Sequence, residues 1–388
     1  MAGDRDTESD RSGNERILSD GYNREQPILV VGDGLVAGAT AAFLEQAGLR
    51  PVVASTCYRP QTGIRMLWEP GLTLLERIGL RRPLERVGTS IERLHCTTAD
   101  RSWTASDGTS ASLVAVERDR LHTLLEKRVY DRLTESEQSV IAVEPTDSGV
   151  QVTFEGATTE LFDTVVTTTN ALLPTQTRPD GQSVHMWHFE WPPNTPQPGI
   201  PTEAWDAYTA AFSVPTSDGT WVRLVSMTET SPVSALSPDS LAAQFGQFFA
   251  ADPLSELDRQ QLQYCRRTRA MPRSLSSGGV VLAGSEARVA IPGDCVSTTL
   301  GIEDAWVLAD AMAYGPNDIG SAIAEYERRR RRREQEMTVA IDDERPTTLE
   351  SPLLSPAIDR LYTRRRLAFS HIIDRPQPDV ARAVPHDI

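Results

Sequence analysis

An apolar run, Ile28 to Val31, leads directly into Gly32-x-Gly34-x-x-Ala37. A helical pattern follows through Ala42, Phe43, Leu44 and Ala47, with Gly48 as its stop. This strand–loop–helix unit constrains the fold more than any other stretch. Gly32 lets the chain turn sharply out of a strand, Gly34 lets the backbone approach a phosphate, and Ala37 keeps the helix near its sheet. The N–H groups of the helix N-terminus then face an anion, the arrangement that binds a dinucleotide pyrophosphate. A tight turn kept for packing alone would leave the same pattern.

A second stretch, residues 280–305, adds a strand, Gly284, Ala287, Pro292 and the run Leu300-Gly301-Ile302-Glu303-Asp304-Ala305. With the first motif, with Arg118-x-x-Leu121 and with Tyr326-Glu327 followed by arginines, it resembles the FAD-dependent monooxygenases related to para-hydroxybenzoate hydroxylase. The resemblance covers roughly residues 26–340. It implies an α/β fold: a Rossmann-like FAD-binding domain with a mainly parallel sheet, plus a smaller β-rich substrate-binding lobe. The expected division assigns residues 1–24 to a disordered acidic tail and 26–80, 110–178 and 268–345 to the FAD-binding domain. Residues 81–109 and 179–267 form the substrate-binding lobe, and 346–388 a C-terminal extension.

The same alignment exposes departures. Ser55 stands where the family has the acidic residue that holds the adenosine ribose, and Thr169-Asn170 where it has Asp-Gly. Ser285 and Arg288 replace the Asp and His of its later motif, and Cys295-Val296-Ser297 replaces a Gly-x-Gly beside the flavin ring. Ser, Thr and Asn still offer hydrogen bonds to ribose and phosphate. Thr298, Thr299 and Asp304 are expected to start a helix whose positive end faces the flavin. The resemblance therefore implies FAD contacts at Gly32, Gly34, Ala37, Ser55, Arg118, Gly284, Ser285, Pro292, Cys295, Ser297, Thr298 and Thr299. An Arg at a helix start also suits a plain salt bridge, so Arg118 has two readings.

Composition bounds the rest. The chain has 388 residues, 39% hydrophobic and 24% charged, ordinary for a globular protein large enough for two joined lobes. No apolar run reaches the roughly 20 residues of a membrane span. The polar N-terminus lacks a secretory apolar core, and a cytoplasmic location is expected. A net charge of −15 disfavours general nucleic-acid binding. Lys127 is the sole lysine, and an acidic, lysine-poor surface suggests a halophilic protein kept soluble in salt.

The four cysteines, Cys57, Cys96, Cys265 and Cys295, show no redox or zinc spacing and read as buried free thiols. His185 and His188 lie beside a Pro pair that argues against a helix, so no metal site is expected. The run Arg328–Arg333 is bracketed by Glu325, Glu327, Glu334 and Glu336 and reads as a solvated helix face or a face docked on the acidic body. Arg364–Arg366 sits in a possible amphipathic segment of the tail.

The patterns predict a second strand near 51–54, helices over 69–79 and 119–133, a hairpin over 139–154 with a turn at Pro145–Gly149, and a strand at 163–168. From about 179 to 267 the sequence turns Pro- and aromatic-rich, with Trp187, Phe189, Trp191, Trp205, Phe212 and Trp221, then a helix carrying Phe245, Phe248 and Phe249. If that region forms a pocket, an apolar or aromatic organic substrate suits it. The resemblance implies two half-reactions, in which NAD(P)H reduces FAD and one atom of O2 passes to the substrate. It compels no side-chain base, so the catalytic residues are unassigned. A flavin-dependent reductase of a lipid-like substrate and a non-enzymatic descendant of the fold are the other readings. The oligomeric state is open.

Overall fold

The computed structural model of the chain describes residues 28–56, 63–91, 93–98, 102–106, 113–130, 134–173, 177–191, 200–205, 209–216, 219–226, 237–249, 254, 257–284, 287, 294–314 and 318–342. The expectations for residues 1–24 and 346–388, including Arg364–Arg366, lie outside the described residues.

Ile28–Val31 is a wholly buried strand, and a strand buried on both faces belongs in the middle of a parallel sheet. It pairs in parallel with Pro51–Thr56 on one side and Thr164–Thr167 on the other. Thr134–Thr146 and Val280–Leu282 extend the parallel core outward. Antiparallel strands Gly149–Phe154, Thr159–Phe162 and Ser276–Ser277 complete an eight-stranded sheet. The expected α/β architecture with a mainly parallel sheet is present.

A second, seven-stranded sheet runs Gln263–Pro272, Thr177–Trp191, Thr220–Ser226, Thr209–Pro215, Thr202–Trp205, Arg93–Thr98, Ser102–Ser106. It is antiparallel except where Thr202–Trp205 meets Arg93–Thr98. Its strands alternate faces. His185, Trp187, Phe189 and Trp191 share one face, where the last three join Leu241 and Phe245 of helix Pro238–Phe245 in an apolar cluster. His185 is stacked with Trp187 and Tyr264 and bonded to the Tyr264 hydroxyl at 2.8 Å. Burial, then Arg266, holds its pKa below the usual histidine value.

Several expected elements shift. The hairpin keeps Pro145 and Thr146 in strand and turns on Asp147-Ser148, because Thr146 Oγ1 accepts from the Ser148 N–H and donates to the Gly149 carbonyl. The expected helix over 69–79 is Glu69–Arg77, and the one over 119–133 is Arg118–Arg128, with Leu133 outside the described residues. Strand Ile64–Trp68 and helix Arg81–Val87 were not foreseen. The latter is tied back by Arg81, which grips both Glu69 oxygens at 2.8 and 2.9 Å. Phe245 ends its helix and Phe248 lies in a following 3-10 turn. Cys265 is half-buried rather than buried and forms no disulfide; the other thiols lie outside the described side chains.

Helix Leu35–Gln46 lies against the parallel sheet, and helix Asp294–Tyr314 packs over it. Helix Ile319–Asp342 closes that side. Its arginines are not one solvated face. Arg328 pairs with neighbouring Glu325 at the surface, and Arg331 pairs with Glu327. Arg329 meets Asp310 and approaches the Trp306 ring. Arg330 and Arg333, 1% and 4% exposed, instead enter the core and meet Glu303 and Asp304 of Asp294–Tyr314. Arg330 Nε is 2.5 Å from Asp304 Oδ1 and Nη1 is 3.0 Å from Glu303 Oε2, while Nη2 donates to the Leu300 carbonyl. Docking on acidic partners holds for these arginines.

Burial alone would raise the Glu303 carboxyl, but Arg333 and Arg330 outweigh it and hold it below the usual carboxylate range. Its folded-state pKa is thus depressed. The resulting stability is present above the unfolded pKa and lost as pH falls through the folded one. Replacing one partner strands buried charge. Arg330→Ala is expected to cost about 3–5 kcal/mol by urea denaturation, and Glu303→Gln to flatten the stability loss below about pH 5. Wild-type stability for the first variant, or an unchanged acid limb for the second, would refute this account.

Candidate functional site

The carboxyl ends of the parallel strands converge on one edge of the main sheet, the place where open α/β sheets bind ligands. Four segments meet there: the glycine loop after Val31, the end of Pro51–Thr56, the turn after Thr167 and the turn at Gly284.

The two loop glycines differ in kind. Gly32 has φ +146, donates to the Ala54 carbonyl at 2.9 Å, and a Cβ there would stand 2.2 Å from Thr168 Oγ1. The protein itself requires that glycine. Gly34 has φ −108 and ψ 177, ordinary extended backbone, and a Cβ there would meet nothing among the described residues within 4 Å. Neither strain nor packing against the described residues requires glycine at 34, which suits both a helix N-cap and the close approach of a ligand to the backbone. Gly34 opens helix Leu35–Gln46 with no side-chain cap and no acidic residue in the first turn, and the Asp33 carboxylate stands one residue ahead of it. Ala37 is fully buried against Gly32, as the spacing predicts. Gly38 lets Leu125 and Tyr130 close on the same helix.

Ser55 lies at the end of its strand, but its hydroxyl bonds Ser139 at 3.2 Å on the neighbouring strand. Beside it, Thr56 donates to Asp33 Oδ2 at 3.4 Å, which brings a loop carboxylate to the strand end. Thr169 accepts from the Ala171 N–H at the following 3-10 turn, and its own N–H donates to Thr167 Oγ1.

Gly284, at φ +98, donates its N–H to Asp304 Oδ2 at 2.7 Å. Gly301 explains its place in the second motif: a Cβ there would lie 2.7 Å from Val36 Cγ2 and 3.2 Å from Gly284 Cα. The two glycine turns and the long helix are thereby brought together.

The expected helix start is corrected. The helix begins at Asp294, so Thr298 and Thr299 lie in its second turn, both buried, with Thr299 against Gly71. Asp304 lies in mid-helix, fully buried, bound to Gly284 and Arg330, and does not start a helix facing a flavin. Ser297 is half-buried in the first turn. The Cys295 side chain, Ser285, Arg288 and Pro292 lie outside the described residues. Arg118 opens helix Arg118–Arg128, half-buried, and its N–H donates to the Gly63 carbonyl at 2.8 Å.

Gly63 links this region to the second sheet, since Trp221 Nε1 would stand 3.1 Å from a Cβ at that position. Trp221 lies on the sheet face opposite the apolar helix cluster. Arg223 shares that face, its guanidinium 4.9 Å from the Trp221 ring centre and its Nε donating to His188 Nδ1 at 3.4 Å. Phe212 and the buried Glu203 continue the row. Sequence reading singled out Trp221 and Phe212 but missed Asp33, Thr168, Arg223 and Glu203. The signal for Arg223 is that it is the one charged residue within the apolar run Trp221 to Val225. Among the described residues, no group of three or more His, Cys, Asp or Glu gathers to hold a metal, and no helix is long and apolar enough to cross a membrane.

No family model and no curated protein matches this chain. Solved structures do. Tetracycline destructase Tet(55) superposes with a TM-score of 0.67 at 16% identity, covering 94% of this chain and 99% of its own. HpxO of Klebsiella pneumoniae, complexed with FAD and uric acid, gives 0.63 at 18% identity, over 91% and 97%. The tetrameric form of 2-methyl-3-hydroxypyridine-5-carboxylic acid oxygenase gives 0.64 at 15% identity, over 92% and 97%. The chain has the fold of these proteins, a mainly parallel main sheet with a second, largely antiparallel one.

The glycine contrast gives a stability test. Gly32→Ala is expected to destabilise by about 2 kcal/mol or more, through the left-handed φ and the Thr168 clash. Gly34→Ala should stay within about 0.5 kcal/mol of wild type. Equal losses in chemical denaturation would contradict the division of roles.

Proposed function

We propose that this protein is an FAD-dependent oxidoreductase of the monooxygenase type, with NAD(P)H as electron donor and an apolar or aromatic organic substrate. The observation that carries this reading is Gly34, a glycine that no strain and no contact among the described residues requires, at a helix start with no side-chain cap on the carboxyl edge of a parallel sheet. The site fits the group. The Gly32–Gly34 loop and the N-terminus of Leu35–Gln46 would hold the pyrophosphate, and the Gly284 turn lies beside them through Val36. Arg118 would add a cation from the start of helix Arg118–Arg128.

Bound FAD supplies the hydride-accepting and oxygen-transferring chemistry. The chain's part is placement and exclusion of water. Residues 26–80, 110–178 and 268–345 would form the cofactor-binding domain, and 81–109 and 179–267 the substrate lobe. In that lobe Trp221 and Phe212 offer flat apolar surface, and Arg223 with His188 offers donors to orient a polar substituent. Ser285, Pro292, Cys295, Ser297, Thr298 and Thr299 would complete the flavin side through the turn and helix they occupy in sequence.

A non-enzymatic descendant of the fold is the second reading. What favours it is that the Ser55 hydroxyl bonds Ser139 and Thr169 bonds its own turn.

The two readings separate in the visible spectrum of protein purified in high salt, the condition suited to its acidic composition. About one flavin per chain, released by acid and identified as FAD, is expected. Gly34→Val should then weaken FAD binding by at least about tenfold with folding intact, because the added side chain fills the pyrophosphate approach. Protein that stays colourless with excess FAD would move the assignment to the second reading. Flavin-bound protein whose NAD(P)H oxidation takes up no oxygen with any organic substrate would favour the reductase.

A further inference from the structure

Two glycine turns meet on the carboxyl edge of the main sheet, one after Val31 and one at Gly284, and Thr168 follows the strand between them. The carbonyl of the preceding Thr167 accepts the Ala283 N–H at 2.9 Å, and the Thr168 N–H donates to the Val31 carbonyl at 3.1 Å. These bonds end two parallel ladders, so the chain at Thr168 is held from both sides.

The side chain makes a contact that the ladder does not require. Thr168 Oγ1 donates a second bond to the Val31 carbonyl at 3.3 Å, although that oxygen already takes the Thr168 N–H. The same hydroxyl occupies the place where a Cβ on Gly32 would stand. An oxygen suits so close a seat better than a methyl, because it accepts a Cα–H contact at a distance where two carbons repel. Gly32 leaves its strand at φ +146, and its own N–H is bonded to the Ala54 carbonyl on the opposite neighbour at 2.9 Å. The first residue of the loop is therefore gripped between two strands. The geometry points to Thr168 as the positioning residue of the glycine loop: its hydroxyl, seated in the hollow left by Gly32, sets the direction in which the loop leaves the strand and so its fit to a pyrophosphate. The inference rests on the dinucleotide reading of the site.

A side chain that merely fills space is the competing explanation, and replacement at one position separates the two. Thr168→Ser keeps the hydroxyl, Thr168→Ala empties the hollow, and Thr168→Val puts a methyl where the oxygen lies. Wild type and the three variants are freed of flavin and titrated with FAD and with ADP. Amide hydrogen exchange is followed without ligand at Gly32, and at Leu29 and Val30 in the strand behind it. Thr168→Ser is expected to bind both ligands within about twofold of wild type. Thr168→Ala should weaken FAD and ADP alike by about three- to tenfold, the range for one neutral hydrogen bond. Thr168→Val should weaken them by about tenfold or more, since the methyl overfills the hollow. In the Ala and Val variants exchange at Gly32 should quicken about tenfold while Leu29 and Val30 stay as in wild type.

Thr168→Val that binds FAD and ADP as wild type does would overturn the assignment. So would Thr168→Ser as weak as Thr168→Ala, since the hydroxyl would then not be the group that matters. Exchange rising equally at Gly32, Leu29 and Val30 would also overturn it, and make Thr168 a general support of the sheet. In each of these outcomes wild type still binds FAD and the flavin reading stands. If wild type binds neither FAD nor ADP, the flavin reading itself fails, and this inference fails with it.

Discussion

Arg330 holds together the side of the molecule that carries the Gly284 turn. It lies in the core at 1% exposure, bound to Asp304 and Glu303 on the neighbouring helix, and Asp304 passes the contact on by accepting the Gly284 N–H. Three successive segments are thereby fixed to one another: the last core strand with its turn, helix Asp294–Tyr314 and helix Ile319–Asp342. A buried ion pair is weak evidence for net stability, because desolvation consumes much of the Coulombic gain. Its contribution here is specificity of placement. Burial opposes the charged form of Arg330, yet Asp304 and Glu303 hold its pKa above the ordinary value, so the guanidinium stays ionised and needs both carboxylates. Tyr326 and Glu327, one turn earlier, act alike: the Tyr326 hydroxyl bonds the Leu282 carbonyl, and Glu327 bonds Ser274, Leu275 and Ser276. The closing Tyr-Glu-x-x-Arg pattern is thus a set of three clamps on one sheet edge.

That clamp positions the glycine loop. With Gly284 held by Asp304, Val36 of the first helix packs between Gly284 and Gly301, where any side chain on Gly301 would collide with it. Thr168 presses on Gly32 from the other side. Described neighbours thus crowd Gly32 and Gly301, and none of them crowds Gly34. A preformed, rigid loop with one open backbone approach is what a pyrophosphate site requires, since binding then has little ordering cost to offset.

The sequence pattern was most informative where chemistry is local. The apolar run before Gly32-x-Gly34 is a strand of four buried residues, and the helix behind it ends within a residue of its expected stop. Periodicity also found the cores of Glu69–Arg77 and Arg118–Arg128. It failed where partners are distant. Six consecutive arginines look alike in sequence, and only the crossing of two helices decides that Arg330 and Arg333 turn inward while Arg328 meets solvent. Strand Ile64–Trp68 lacks polar alternation because most of it is buried, so it blends into the helix that follows. The second sheet joins residues 93–106 to 177–272 through a parallel pairing of His95 with Thr202, a register no local pattern encodes. Asp33 shows the same limit: its position in the loop was plain, but its proximity to Thr56 depends on the pairing of two strands.

The placement of charge also separates two effects of salt. The chain carries −15 overall, and repulsion among exposed carboxylates is screened over about 10 Å or less at moderate ionic strength. The Arg330 cluster lies beyond that screening, in the interior where ions do not follow. Salt therefore acts on the compactness of the whole through its surface while leaving the clamp on the glycine turns unaltered. Acid acts in the opposite place, since protonating Glu303 removes the partner shared by two buried guanidinium groups. A chain built this way would tolerate wide changes in ionic strength at the sheet edge that carries its glycine turns and lose that edge first when its buried carboxylates are neutralised.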